Sequence, residues 1–208
     1  MAKAQPKKRA RSSANALLNA TSALMAERNS VDVTFSDIAK RSGVNSALIQ
    51  YYFGSKSGLF MALLERDAGP TFDSLDKLVS ANIPAPEKLR HHVSGVIKVY
   101  HRYPYMNRLI GSLSIDSESE AAQFIAERFT KPLAAAQSAI LEQGEDEGVF
   151  HRVDPMLFHF SLIGSCDHLF HARHSLKFAF GVEEIDEDLQ RRYAQHISKI
   201  LLESIMRR

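Results

Sequence analysis

The chain has 208 residues, 45% of them hydrophobic, with one cysteine and no tryptophan, enough apolar material for one large or two modest cores without a cross-link. The lone Cys166 excludes an internal disulfide, the basic N-terminus has no apolar signal core behind it, and no apolar run approaches the roughly 20 residues of a membrane-crossing helix; a cytoplasmic protein is expected. The net charge of +2 conceals an asymmetry, because residues 1–66 carry ten Lys or Arg against four acids while the remainder carries 16 against 20, a distribution that fits a nucleic-acid reader joined to another domain, although basic patches also serve other polyanions.

Residues 1–11 hold Lys3, Lys7, Lys8, Arg9 and Arg11 beside Pro6. They read as a flexible basic arm, either touching phosphates and a minor groove or simply solvated. Ala14, Leu17, Leu18, Thr21, Leu24 and Met25 then share one face of a first helix, and Asn29 can take the left-handed position that ends it. Residues 34–56 have the form of a helix-turn-helix followed by the start of another helix. Thr34 with Asp37 three positions on makes an N-terminal cap, Ile38 and Ala39 point inward, and Gly43 supplies a turn that a Cβ resists. Asn45 caps a second helix in which Ile49, Tyr52 and Phe53 recur at helical spacing, so Tyr52 and Phe53 read first as packing residues.

Leu17-Leu18-Asn19-Ala20, Ala26-Glu27-Arg28, Val33-Thr34, Asp37-Ile38-Ala39, Gly43-Val44, Tyr51-Tyr52-Phe53-Gly54-Ser55-Lys56 and Gly58-Leu59 together resemble the N-terminal domain of TetR-family transcriptional regulators. The resemblance implies an all-α protein with a three-helix DNA-binding domain over 12–66 and a helical regulatory and dimerisation domain over 67–208. On the second helix of the motif Ser46, Ala47, Gln50 and Tyr51 face outward; Gln50 suits a bidentate pair with adenine, Ala47 a thymine methyl, and the hydroxyls phosphate or base. Where the family commonly has Lys-Gly-Thr this chain has Ser46-Ala47-Leu48, which removes a phosphate-binding lysine and leaves Leu48 to meet methyl groups. Thr34, Ser36 and Lys56 stand at helix starts, where free amides favour phosphate; the resemblance makes Thr34 and Lys56 backbone anchors. The DNA-contacting set is thus Thr34, Ser36, Asn45, Ser46, Ala47, Leu48, Gln50, Tyr51, Tyr52 and Lys56.

A helix from about Ser55 runs toward Leu75 or Leu78, bent or broken at Gly69-Pro70. Pro86 starts the next, which stops before Tyr103-Pro104. A helix over about 105–115 and a long one over roughly 118–145 follow, with Gly148 in the turn after them. From Asp154-Pro155, a cap and a first-turn proline, residues 156–180 are apolar on most sides, which predicts a helix buried on more than one face. Ser161, Gly164, Ser165 and Ala172 form a stripe of small residues along it. The final helix, about 186–206, places Leu189, Tyr193, Ile197, Ile200, Leu201 and Ile205 on one face. The last two helices are expected to pair with their symmetry mates in a homodimer, with Ser161, Ser165, Ala172, Tyr193, Ile197 and Leu201 in the interface.

A dimer with one reading helix per subunit predicts a near-palindromic double-stranded operator with half-sites about one turn apart or more. The resemblance further implies a repressor released by a small-molecule effector, with Tyr100, Met106, Phe129, Leu162 and His168 as candidate pocket residues. Two other readings stand beside it: a metal-responsive regulator using Cys166, His168 and His171, and a DNA-binding protein with no ligand. His168, His171 and His174 advance by three, and the i, i+4 pair of a helical metal site is missing. No motif for a nucleophile, metal hydrolase or cofactor is present, so neither catalysis nor a cofactor is expected.

Overall fold

The computed structural model describes the backbone of residues 4–207 and the side chains of 11–207. In chain order the helices are α1 (Ala4–Arg28), α2 (Phe35–Ser42), α3 (Ala47–Phe53), α4 (Lys56–Phe72), α5 (Leu75–Ser80), α6 (Ala85–Arg102), α7 (Met106–Leu113), α8 (Glu120–Ile125), a π-helical turn (Ala126–Thr130), α9 (Lys131–Asp146), α10 (Pro155–His171), α11 (Arg173–Phe180) and α12 (Glu187–Ile205). Among the described residues the only strand-like pairing is an isolated antiparallel bridge between Phe150 and Met206. The chain is all-α.

Two compact units result, residues 1–69 with 105–125, and residues 70–104 with 126–208. The first therefore contains α7 and α8 besides the helix-turn-helix, where two consecutive blocks were expected. Its core is built from Leu17 and Met25 of α1, Ile38, Ile49, and Leu59, Leu63 and Leu64 of α4, all fully buried. Tyr105, also fully buried, donates its hydroxyl hydrogen to Asp67 and sits 2.8 Å from the Ser22 hydroxyl. That contact pins the start of α7 to α1 and α4.

Several boundaries differ from the sequence expectation, each for a local reason. The backbone of 4–11, expected as a flexible arm, is already helical, because its alanines, lysines and arginines favour helix and Pro6 falls in the first turn, where its missing N–H costs nothing. Residues 1–3 and the side chains of Lys7, Lys8 and Arg9 lie outside the described residues. α4 runs through Pro70 and ends only at Phe72; the division between the units nonetheless falls at Gly69–Pro70. The long helix over 118–145 is three pieces, since Pro132 in the first turn of α9 has no N–H to give, and the residues ahead of it adopt the wider π spacing.

In the second unit α6 contributes Leu89, Val93, Ile97 and Tyr100 to the core, α10 contributes Phe158, Leu162, Cys166 and Phe170 at four-residue intervals, and α12 contributes Ala194, Ile197, Leu201 and Ile205. Gly144 of α9 lies directly against the fully buried Phe150, whose ring would be 1.9 Å from a Cβ at that position. A polar cluster crosses this core. Gln137 accepts from His159 Nδ1–H at 2.8 Å, and its amide nitrogen lies 3.0 Å from His92 Nε2. With the Gln137 oxygen engaged by His159, the amide donates to His92, which must then be unprotonated at Nε2.

Burial, and after it the nearby His159, pulls His92 down from its ordinary 6.5 to about 4. Between those values the unfolded chain binds a proton that the folded chain refuses. Stability is therefore complete above about pH 6.5 and declines as pH falls toward 4, by up to about 1.4 kcal/mol per unit from this group. Urea unfolding at pH 7.5 and pH 5 should show the loss, and His92→Gln should flatten it; an unchanged slope in the variant would assign the loss elsewhere.

Candidate nucleic-acid interface

The helix-turn-helix is built by reciprocal local bonds. Thr34 Oγ1 accepts the Asp37 N–H at 3.1 Å, Asp37 Oδ2 accepts the Thr34 N–H at 3.2 Å, and Gly43 ends α2 with φ of 67°. The cap position of α3 is Ser46, which makes no side-chain cap bond, rather than the expected Asn45; Asn45 Oδ1 accepts the Ala47 N–H at 2.9 Å in the turn just ahead of the helix. Two ion pairs invisible to local sequence reading hold α2 on the last turn of α1: Arg28 to Asp37 at 2.9 Å, and Arg41 to both carboxylate oxygens of Glu27. The Arg28 guanidinium and the Thr34 donors hold Asp37 far below the usual carboxylate range.

Ile49 anchors α3 at 0% exposure, and Tyr51 projects with 78% of its surface free. Ser46, Ala47 and Gln50 are also exposed, while Leu48, Tyr52 and Phe53 are half-buried. The predicted reading face is thus one continuous strip, with Leu48 and Tyr52 at its margins. Thr34, Ser36, Asn45 and Lys56 are exposed around it. Both donors of Thr34 are spent on Asp37, so Thr34 positions α2, and Ser36 is the freer hydroxyl at that helix start. Lys56 opens α4 with its ammonium 5.5 Å from the Phe60 ring centre.

Residues 82–208 match the family model described as the C-terminal domain of tetracyclin repressor-like proteins, and residues 17–63 match the one for bacterial regulatory proteins of the tetR family. The chain belongs to the TetR family. It is a ligand-responsive, DNA-binding transcriptional regulator of the repressor type, working as a dimer on operator DNA. It is 25% identical over 167 residues to the HTH-type transcriptional repressor NicS of Pseudomonas putida, covering 78% of each chain. It is 33% identical over 87 residues to the HTH-type transcriptional regulator BetI of Rhizobium meliloti, covering 42% of this chain and 41% of that one. In fold it is similar to the transcriptional regulator FadR of Bacillus subtilis, with a TM-score of 0.67, 21% identity, and 90% and 96% of the two chains covered.

The two helices expected to pair the subunits expose a surface that differs in detail from the sequence expectation. α10 turns Met156, Leu157 and Phe160 outward at 59%, 61% and 68% exposure, so its outer face is bare rather than buried within the chain. Ser161 and Gly164 lie exposed on that face and Ser165 at its edge, whereas Ala172 falls at the break between α10 and α11. Ile197 and Leu201 are turned into the core at 6% and 5% exposure, and the outward residue of α12 is Ile200 at 47%. Tyr193 is half-buried, donating its hydroxyl to the Ser165 carbonyl. Substituting Ile197 or Leu201 would therefore injure the fold before the dimer, which corrects the sequence expectation.

The five predicted pocket residues stand in different settings. Tyr100, Phe129 and Leu162 are buried in the second unit, Met106 is buried in the first, and His168 is exposed on α10. The metal-responsive reading loses its basis. Cys166 is fully buried, burial pushes its thiol up to about 12, and His168 and His171 are exposed. Among the described residues no three His, Cys, Asp or Glu side chains are grouped to hold a metal ion. No helix among them is long and apolar enough to cross a membrane.

Proposed function

We propose that α3 of each subunit enters the major groove of one operator half-site, with Gln50 and Ala47 on base edges and with Ser36, Ser46, Tyr51 and Lys56 on phosphates. The carrying observation is the strip on α3: Ile49 is fully buried while Ala47, Gln50 and Tyr51 stand out together. A helix so presented fits the major groove, and an amide at its centre can pair in a bidentate manner with adenine. An effector held in the second unit would favour the arrangement in which the two reading helices no longer match the operator, and so lower its affinity by linkage. The likeness to the FadR structure in complex with stearoyl-CoA supports a small organic effector. A reader of chromosomal operators works in the cytoplasm.

Gln50→Ala should weaken operator binding by about 1 to 3 kcal/mol and relax discrimination at one base position in each half-site. Titration against operators altered one base at a time would show it. Equal weakening on every sequence would make Gln50 a phosphate contact instead.

A further inference from the structure

A groove of about 1590 Å³ runs between α6 and α12 within the second unit. One wall is a row on α6, Arg90, Ser94, Lys98 and Arg102, spaced four residues apart and so about 18 Å long at 1.5 Å per residue. Among the described residues none of these three cations has a carboxylate within ion-pair distance; of the acids by the groove, Asp188 is held by Arg191 and Arg192 and Glu203 by Lys199 at 3.7 Å, while Glu187 on the α12 side has no ion pair. Arg102 lies only over the Tyr103 ring. α12 supplies the opposite wall, with Arg191 and Lys199 beside Glu187 and Glu203.

The floor is polar as well. Gln190 and Ser198 line the groove at 8% and 7% exposure. Their polar atoms keep contact with the groove's solvent and are free to exchange it for a ligand. These two open onto the groove, with the apolar Ala194 and Leu202 beside them.

We infer that this groove binds a phosphorylated organic small molecule of the nucleotide type. Its phosphates would gather about Lys98, near the middle of the row, with the long Arg90 and Arg102 side chains reaching in from either side, where guanidinium forks meet phosphate oxygens two at a time. Its neutral polar edge would sit on the Gln190 amide, which offers both donor and acceptor. Duplex DNA carries the same phosphates on a convex surface and cannot place a neutral edge on that floor. The inference is independent of which bases α3 reads.

Calorimetric titration of the full-length protein with ATP and with inorganic pyrophosphate, without DNA, tests it. The expected result is saturable binding of one ATP per chain, tighter than pyrophosphate. Arg90→Glu with Lys98→Glu, both exposed, should weaken both ligands at least tenfold with an unchanged melting temperature. Gln190→Leu should weaken ATP at least fivefold and leave pyrophosphate unaffected. Absence of ATP binding, or equal ATP affinity in the double variant, would overturn the proposal. So would a double variant that loses affinity for duplex DNA alone.

Discussion

Phe160→Glu is expected to leave the regulator folded, convert it to monomers and weaken operator binding at least about 100-fold. Phe160 is 68% exposed in the single chain and continues an apolar strip with Met156 and Leu157. Burying a phenylalanine gains about 1.5 to 3 kcal/mol. A two-fold interface uses the residue twice, and the substitution adds two carboxylates to a surface that must lose its water. The combined loss exceeds the roughly 2.7 kcal/mol that corresponds to 100-fold. Sedimentation velocity with a melting curve separates the outcomes: a monomer of unchanged melting temperature supports the assignment of this face, and a persistent dimer refutes it. Leu201→Glu provides the contrast, since Leu201 is 5% exposed and its replacement should unfold the second unit.

The other large effect is expected at Gly144. Its Cβ position lies 1.9 Å from Phe150 Cδ2 and 2.4 Å from Cε2, and Phe150 has no free surface to retreat into. The neighbouring backbone is tied as well, because both Val149 and Phe150 donate their N–H groups to the Gly144 carbonyl at 2.9 Å, and Arg207 donates to the Val149 carbonyl at 2.9 Å. Gly144→Val should cost about 3 kcal/mol, the upper end of ordinary overpacking, which for a chain of this size lowers the melting temperature by about 6 to 12 °C. Adding Phe150→Leu, which frees ring volume, should recover part of the loss. A double variant no better than the sum of its parts would show that the ring is not what Gly144 accommodates.

The helix-turn-helix was legible in the sequence because its determinants are local. Thr34 and Asp37 satisfy each other three residues apart, and Gly43 and Asn29 both take positive φ, at 67° and 49°. The exposed face of α3 followed from the phase of one short helix. What escaped were contacts between helices distant in the chain, such as Arg41 with Glu27, and Tyr105 with Asp67. The phase of α12 escaped too, because Ile197, Ile200 and Leu201 are close enough around a helix that apolar pattern alone cannot say which one faces out. α10 misled for a related reason: apolar residues on most sides imply burial, and its outer face, with Met156, Leu157 and Phe160, is exposed in the single chain. The row Arg90, Lys98 and Arg102 did have a signal, recurrence at multiples of four within α6. Its meaning depended on α12 lying alongside and on Gln190 in the groove floor, which no spacing reveals.

If paired α3 helices read an operator, footprinting the purified full-length protein on fragments of its own chromosome should reveal a protected near-palindrome whose half-sites lie one helical turn or more apart, and that protection should be lost in the Phe160→Glu monomer. Protection without two-fold symmetry, or protection that the monomer retains, would contradict it.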